Sequence, residues 1–333
     1  MKAVALTGPG QVHLIDILEP ERHAGDLLLR VEMVGLCGTD LNSYRGKNPL
    51  VTYPRVIGHE IAATVLEGST AVPVGTRVTV SPYTNCGQCA ACRRDRVNAC
   101  EFNQTFGVQR DGAMTELLTV PEAKVYPSSL SLKELCLVEP LTVGVHAVSR
   151  ARVTKQDTVA IYGCGGVGLG AIAGSAFRGA RTIAIDLDDE KLETARAAGA
   201  THLIHSRRDS VQDRLREITN GFGPDVIIEA IGLPETFRAA VEQVAFTGRV
   251  IYIGYAKEPV SYETRLFVQK ELDIMGSRNA LPEDFREMIS ILESGSFPVE
   301  QAVSAIVPLQ EAPAALERWS ESPASFTKIM VAI

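Results

Sequence analysis

Apolar residues along this chain follow two rhythms, and the change between them comes once. Up to about residue 145 they gather in short runs bounded by Gly and Pro: LLLRVEMVGL (27–36), EIAATVLEG (60–68) and GTRVTVSP (75–82). Runs of that length, rich in β-branched residues, predict strands of an irregular, largely antiparallel domain. The opening MKAVALTGPG reads as a strand entering a Gly-Pro turn. After about Leu141 apolar runs alternate with segments of helical period. TVAIYG (158–163), TIAIDL (182–187), DVIIEAIG (225–232) and RVIYIGY (249–255) predict strands, with ELDIMGS (271–277) as the sixth of its sheet. DEKLETARAAG (189–199) and SVQDRLREITNG (210–221) predict helices between them. Such alternation predicts a parallel sheet covered on both faces. From about residue 280 come a helix, an extended piece, a second helix and the terminal strand TKIMVAI, which is expected to return to the first domain.

A chain of 333 residues suits two domains, each able to bury a sizeable core. No apolar run reaches the roughly 18 residues of a membrane span, and the start lacks a secretory pattern. A net charge of −7 argues against a nucleic-acid surface and supplies no reason to invoke a membrane. A cytoplasmic location follows as the expectation. Four of the seven cysteines crowd into positions 86–100, where a secreted disulfide scaffold would spread them. Metal binding in a reducing compartment is the better reading.

The run Gly163-Cys164-Gly165-Gly166-Val167-Gly168 satisfies G-x-G-x-x-G. A bare match is weak, and a Gly-rich turn without a ligand would look the same. Here the run follows a strand-like segment and opens a helix-like one, and Asp186 ends the next strand 18 residues beyond Gly168. Glycines permit the tight turn and close backbone approach, and the helix N-terminus offers free N–H groups to a pyrophosphate. A carboxylate at Asp186 suits a ribose hydroxyl pair and repels the extra phosphate of NADP, so NAD is the expected cofactor.

Cys86-x2-Cys89-x2-Cys92-x7-Cys100 is the strongest signal in the chain. Four thiolates can close a tetrahedral zinc site, which serves stability rather than chemistry. A nucleic-acid zinc ribbon is the competing reading; Arg93, Arg94 and Arg96 lie here, but the chain as a whole is acidic. Three further blocks supply possible ligands of an open, catalytic zinc: Cys37-Gly38-Thr39-Asp40, Gly58-His59-Glu60 and Glu139-Pro140-Leu141-Thr142-Val143-Gly144. Singly, each has a bland reading as a core thiol, a satisfied histidine or a solvated acid.

With all four blocks in order, the chain resembles the zinc-containing medium-chain dehydrogenase/reductase family over essentially its whole length, nearest its polyol (sorbitol-like) and threonine dehydrogenase branch. The resemblance implies an α/β chain: a Rossmann-type doubly wound parallel sheet inserted in an irregular, mainly-β, GroES-like catalytic domain. Residues 1–145 with 278–333 would form the catalytic domain and 146–277 the NAD-binding domain. It implies two zinc ions per chain, with Cys37 and His59 as ligands of the catalytic one. Glu60 and Glu139 would fill the remaining positions directly or through water, and Thr39 would meet the substrate oxygen. Many members carry a histidine where this chain has Asn42, an amide that carries no proton at neutral pH. A glycine usual in the family is replaced by Ala63. Cys136 falls on no ligand position of the family and Cys164 fills a variable position of the glycine loop, so both read as packing.

The implied reaction is hydride transfer to NAD from a secondary alcohol of a polyol or sugar-derived substrate, sugar acids included. Arg278, with Asn279, Ser43 and Tyr44, would bind its hydroxyls or carboxylate. Amino-alcohol oxidation of the threonine type and a non-catalytic nucleotide-binding relative stay open as alternatives. A dimer or tetramer of the same chain is expected.

Overall fold

Alternating apolar runs in the first third of the chain become antiparallel sheet, and the continuous ones in its middle become parallel sheet. A computed structural model describes the chain from Met1 to Ile333, the side chain of Ala324 excepted. Two compact units result: Met1–Glu139 with Val299–Ile333, and Pro140–Pro298.

In the first unit Lys2–Gly8 pairs with Gln11–Asp16 and Arg55–Val56 in a small antiparallel sheet. A seven-stranded sheet is built around Asp26–Leu36, which pairs with Glu60–Glu67, Leu117–Pro121 and the terminal Ile329–Ala332. TKIMVAI thus does return to the first domain, setting Val331 opposite Val34. Leu29, Leu36, Ile57, Ile61 and Met114 are fully buried in its core, with Trp319 from helix Ala312–Glu321 packed among them.

The second unit holds six parallel strands in the order His202–His205, Arg181–Asp186, Thr158–Tyr162, Val226–Glu229, Arg249–Tyr252, Asp273–Gly276. Numbered along the chain this is 3-2-1-4-5-6, the doubly wound nucleotide-binding order, whose switch point lies beside the first strand. Strand His202–His205 was absent from the sequence reading, since HLIH offers only two apolar residues between histidines. Helix Gly166–Phe177 follows the glycine turn, and helix Asp189–Ala197 is capped by Asp188, whose carboxylate accepts from the N–H of Glu190 and Lys191.

Helix Leu132–Arg150 joins the units and carries Pro140 in its interior. Its start is a capping box, in which Ser131 N–H donates to Glu134 at 2.7 Å and Glu134 N–H donates to Ser131 Oγ at 3.3 Å. Helix Pro282–Glu293 packs on Gly166–Phe177. Its Asp284 meets His146 Nδ1 at 2.6 Å and accepts from Ser149 Oγ at 2.9 Å. The second unit therefore runs to Pro298, past the boundary expected at 277/278, and begins at Pro140 rather than 146. Among the described residues no helix is long and apolar enough to cross a membrane.

Candidate functional site

Helix Gly38–Tyr44 starts at Cys37, and its third residue, Asp40, reaches back to accept from Cys37 N–H at 2.9 Å. That cap fixes the Cys37 side chain at the end of strand Asp26–Leu36. His59 follows Gly58, whose φ of 96° favours glycine, and Glu60 then opens the neighbouring strand opposite Gly35. These turns bring the ligand atoms of Cys37, His59 and Glu60 within 4.8 Å of one another. Sequence separation concealed the grouping; sheet pairing creates it.

Electrostatics here favour a cation. Burial alone would lower the His59 pKa, yet the Cys37 thiolate and the Asp40 and Glu139 carboxylates drive it well above the ordinary imidazole range. His59 Nδ1 is buried without a hydrogen-bond partner. Glu60 is wholly enclosed and paired with Lys328, whose Nζ lies 2.6 Å from both carboxylate oxygens and donates to Leu36 O at 3.2 Å. Glu139 lies outside the three-residue group: Tyr83 donates its hydroxyl to the Glu139 carboxylate. Burial and the nearby Glu60 raise the Glu139 pKa, against the pull of His59, Tyr83 and Lys328. Thr39 Oγ1 sits 3.6 Å from Cys37 Sγ. The residues present fit a divalent metal, since a thiolate, an imidazole and a carboxylate converge around an orphaned ring nitrogen.

Asp40, Tyr83 and Lys328 escaped the sequence reading. Asp40 stood in the Cys-Gly-Thr-Asp block as an N3 capping residue, a legible signal. Lys328 lies 268 residues from Glu60 and carried none. Cys136, expected to pack, does so, with its thiol donating to Glu60 O at 3.4 Å.

The proposed substrate contacts divide. Ser43 is fully buried, its hydroxyl donating to Thr39 O and accepting from Asn48 Nδ2, both at 2.9 Å. Its hydroxyl is spent on Thr39 and Asn48. Tyr44 packs on the core with Glu317 and Glu321 near its hydroxyl. Arg278 is exposed after strand Asp273–Gly276, and Asn279 takes a left-handed φ of 52°.

Sγ atoms of Cys86, Cys89, Cys92 and Cys100 also lie within 4.8 Å of one another. Backbone N–H groups point at the sulfurs: Cys89 N to Cys86 Sγ at 3.3 Å, Cys92 N to Cys89 Sγ at 3.5 Å, Cys86 N to Cys100 Sγ at 3.3 Å. Such bonds favour thiolate, and those from Cys92 and Glu101 lower the Cys89 pKa to about 6. The set fits a closed four-thiolate metal site.

In the second unit a cavity of about 320 Å³ opens at the switch point of the sheet, with Gly163, Gly165, Asp186, Lys191, Ser206 and Ile231 on its wall. Gly166, Val167 and Gly168 do not line it. Gly168 instead permits the turn, since a Cβ there would meet Gly163 O at 1.8 Å. Gly165 caps helix Gly166–Phe177 without a side-chain hydrogen bond, leaving its first N–H groups open to a ligand. Asp186 accepts from Cys164 N at 2.8 Å and Leu187 N at 2.7 Å, so it also braces the glycine turn. Lys191, in the first turn of the next helix, was not singled out in the sequence, where no motif marks it.

A doubly wound sheet with a nucleotide-sized cavity, a three-ligand Cys-His-Glu group and a four-thiolate lobe define a zinc-dependent dehydrogenase. Residues 23–130 match the alcohol dehydrogenase GroES-like domain, and residues 166–294 the zinc-binding dehydrogenase domain. An uncharacterized zinc-type alcohol dehydrogenase-like protein of Haemophilus influenzae is 35% identical over 99% of this chain and 98% of its own. Sorbitol dehydrogenase of Bacillus subtilis is 32% identical over 99% of this chain and 97% of its own. The solved structure of an Escherichia coli alcohol dehydrogenase, RspB, complexed with NADH superposes with a TM-score of 0.91 at 28% identity, covering 100% of this chain and 99% of that one. The chain belongs to the zinc-type medium-chain alcohol dehydrogenase family, and zinc and a nicotinamide dinucleotide are the cofactors expected of it.

Proposed function

We propose that this enzyme oxidises a secondary alcohol of a polyol or sugar-derived substrate, sugar acids included, with NAD as hydride acceptor. The observation that carries the reading is the convergence of Cys37, His59 and Glu60, with Glu139 beside them where the polyol branch carries a glutamate. The 32% identity to a sorbitol dehydrogenase supports it. Cys37, His59 and Glu60 would hold the catalytic zinc, and Cys86, Cys89, Cys92 and Cys100 a second, structural one. Bound zinc supplies Lewis acidity toward the alcohol oxygen. Thr39 would take the proton outward, and with Asn42 in the usual histidine's place the onward route runs through water or a ribose hydroxyl. Lys328 holds the Glu60 carboxylate in place through contacts to both of its oxygens. Gly163, Gly165 and the open end of helix Gly166–Phe177 would take the pyrophosphate, while Asp186 and Lys191 would take the adenosine ribose. Asp186 disfavours the additional phosphate of NADP. Arg278 and Asn279 remain the proposed contacts to substrate hydroxyls or carboxylate. A cytoplasmic homo-oligomer completes the reading.

The test is a reduction screen with the zinc-loaded enzyme, NAD or NADP, and polyols, sugar acids, amino alcohols and short alcohols. Polyols or sugar acids with NAD should exceed short alcohols in kcat/KM by about tenfold or more, because a hydrogen bond from a charged donor such as Arg278 contributes about 1.5–3 kcal/mol. Arg278→Ala should erase most of that margin and leave a short secondary alcohol unaffected. Preference for amino alcohols, or equal use of ethanol-sized substrates, would overturn the assignment.

A further inference from the structure

The glutamate that the polyol-type block places beside the metal group is already spoken for. Glu139 and Tyr83 are 4% and 5% exposed, and the phenol donates to the carboxylate inside the first unit. The Tyr83 backbone is clamped on both sides: Phe106 N donates to Pro82 O at 3.2 Å, and Thr84 N to Gln104 O at 3.2 Å, while Tyr83 itself bridges Thr105. Three residues on, Cys86 enters the four-cysteine lobe. The backbone that carries the phenol therefore cannot shift to follow the carboxylate if the latter moves. Glu139 sits well inside helix Leu132–Arg150, so only its side-chain torsions are free.

Charge makes this restraint consequential. A divalent ion held by the Cys37 thiolate, His59 and the Glu60 carboxylate is already neutralised by two negative ligands. A second carboxylate beside the group competes with substrate for the remaining coordination position, and on joining would fill the position an alcohol oxygen needs.

We propose that Tyr83 is a positioning residue that holds Glu139 off the Cys37–His59–Glu60 group, so that the metal keeps an open position for substrate. This rests on the reading of those three residues as the catalytic zinc ligands. It gives the four-cysteine lobe a second task, because the lobe anchors the segment from which Tyr83 projects.

The experiment exchanges cobalt(II) into the Cys37–His59–Glu60 site of the full-length protein and records its d–d bands; the lobe's contribution is common to all variants and cancels in difference spectra. Zinc affinity is measured in parallel by competition with a chelator. In Tyr83→Phe the freed carboxylate should replace solvent at the fourth position, shifting the d–d bands while their tetrahedral intensity is kept. Zinc affinity should rise by about tenfold, the scale of changes around metal ligands, and kcat should fall more than KM changes. Glu139→Gln alone should leave spectrum and affinity as in wild type. Glu139→Gln added to Tyr83→Phe should restore both. An unchanged spectrum and affinity in Tyr83→Phe, whatever its melting temperature, overturns the proposal, as does a spectral change in Glu139→Gln alone. The second result decides the matter if Tyr83→Phe does not fold. Failure of the underlying reading looks different: His59→Ala would then bind cobalt with the wild-type spectrum.

Discussion

Glu60 shows how much of this site hangs on single atoms. A fully buried carboxylate is costly unless it is paired, and Lys328 supplies the pair through two contacts of 2.6 Å. Room for the carboxylate comes from across the strand pair, where a Cβ on Gly35 would lie 1.9 Å from Glu60 Oε2. Gly35→Ala should therefore push the carboxylate from both Lys328 and the metal group. We expect zinc at the catalytic site to bind more weakly by about 10–100-fold, as for other losses of ligand support. Elemental analysis after dialysis checks this: the variant should retain only the lobe zinc. Full retention of two zinc ions would show that Glu60 is free to relax.

At the scale of elements, the second unit depends on backbone close approach. Gly170 lets helix Gly166–Phe177 meet Leu141 O, which a Cβ would approach to 2.0 Å, and Gly144 does the same against Val167 O at 2.2 Å. Strand Val226–Glu229 ends in a buried carboxylate that accepts from Ile231 N at 2.9 Å, Gly232 N at 2.8 Å and Thr236 Oγ1 at 2.8 Å. It thus braces the loop on the far wall of the nucleotide cavity. Its other oxygen, Oε2, has no partner, and burial raises its pKa above the ordinary 4.5 despite the three donors. The sign follows. Below 4.5 glutamate is protonated folded or unfolded and its contribution to stability is complete. As pH climbs, the unfolded chain ionises first, so stability falls until pH passes the raised folded value. Glu229→Gln removes that loss. Its melting temperature should gain on wild type between pH 4 and pH 8, and a constant difference across that range would refute the assignment.

At the scale of the whole molecule the four-cysteine lobe ties stability to a bound ion, since a structural metal contributes folding free energy directly. Cys92 is buried among the other three sulfurs and donates its N–H to one of them. Cys92→Ser should lower the melting temperature markedly and release one zinc per chain, and a strong chelator should do the same to wild type. Unaltered melting with one zinc lost would make the lobe dispensable. The lobe lies in the first unit with the Cys37–His59–Glu60 group, which is why its loss should also reach activity through the Tyr83 segment.

Local chemistry was readable wherever a motif carries its own geometry. The four cysteines, the glycine turn with Asp186, and the strand–helix alternation were all set by residues close in sequence, whose spacing alone decides what they can build. The antiparallel first domain and the return of TKIMVAI followed from hydrophobic period. Other features depended on contacts no spacing encodes. Short HLIH became a strand because a parallel neighbour, Arg181–Asp186, supplied its hydrogen bonds. Pro140 stayed within a helix because that helix is held by packing at Gly144 as well as by its own ladder. Ser43, read as a substrate contact from its place in the chain, spends its hydroxyl on Thr39 and Asn48. Lys328 and Tyr83 met Glu60 and Glu139 only once sheet and loop had closed, because burial makes an unpaired carboxylate too costly to leave and folding had to bring it a partner.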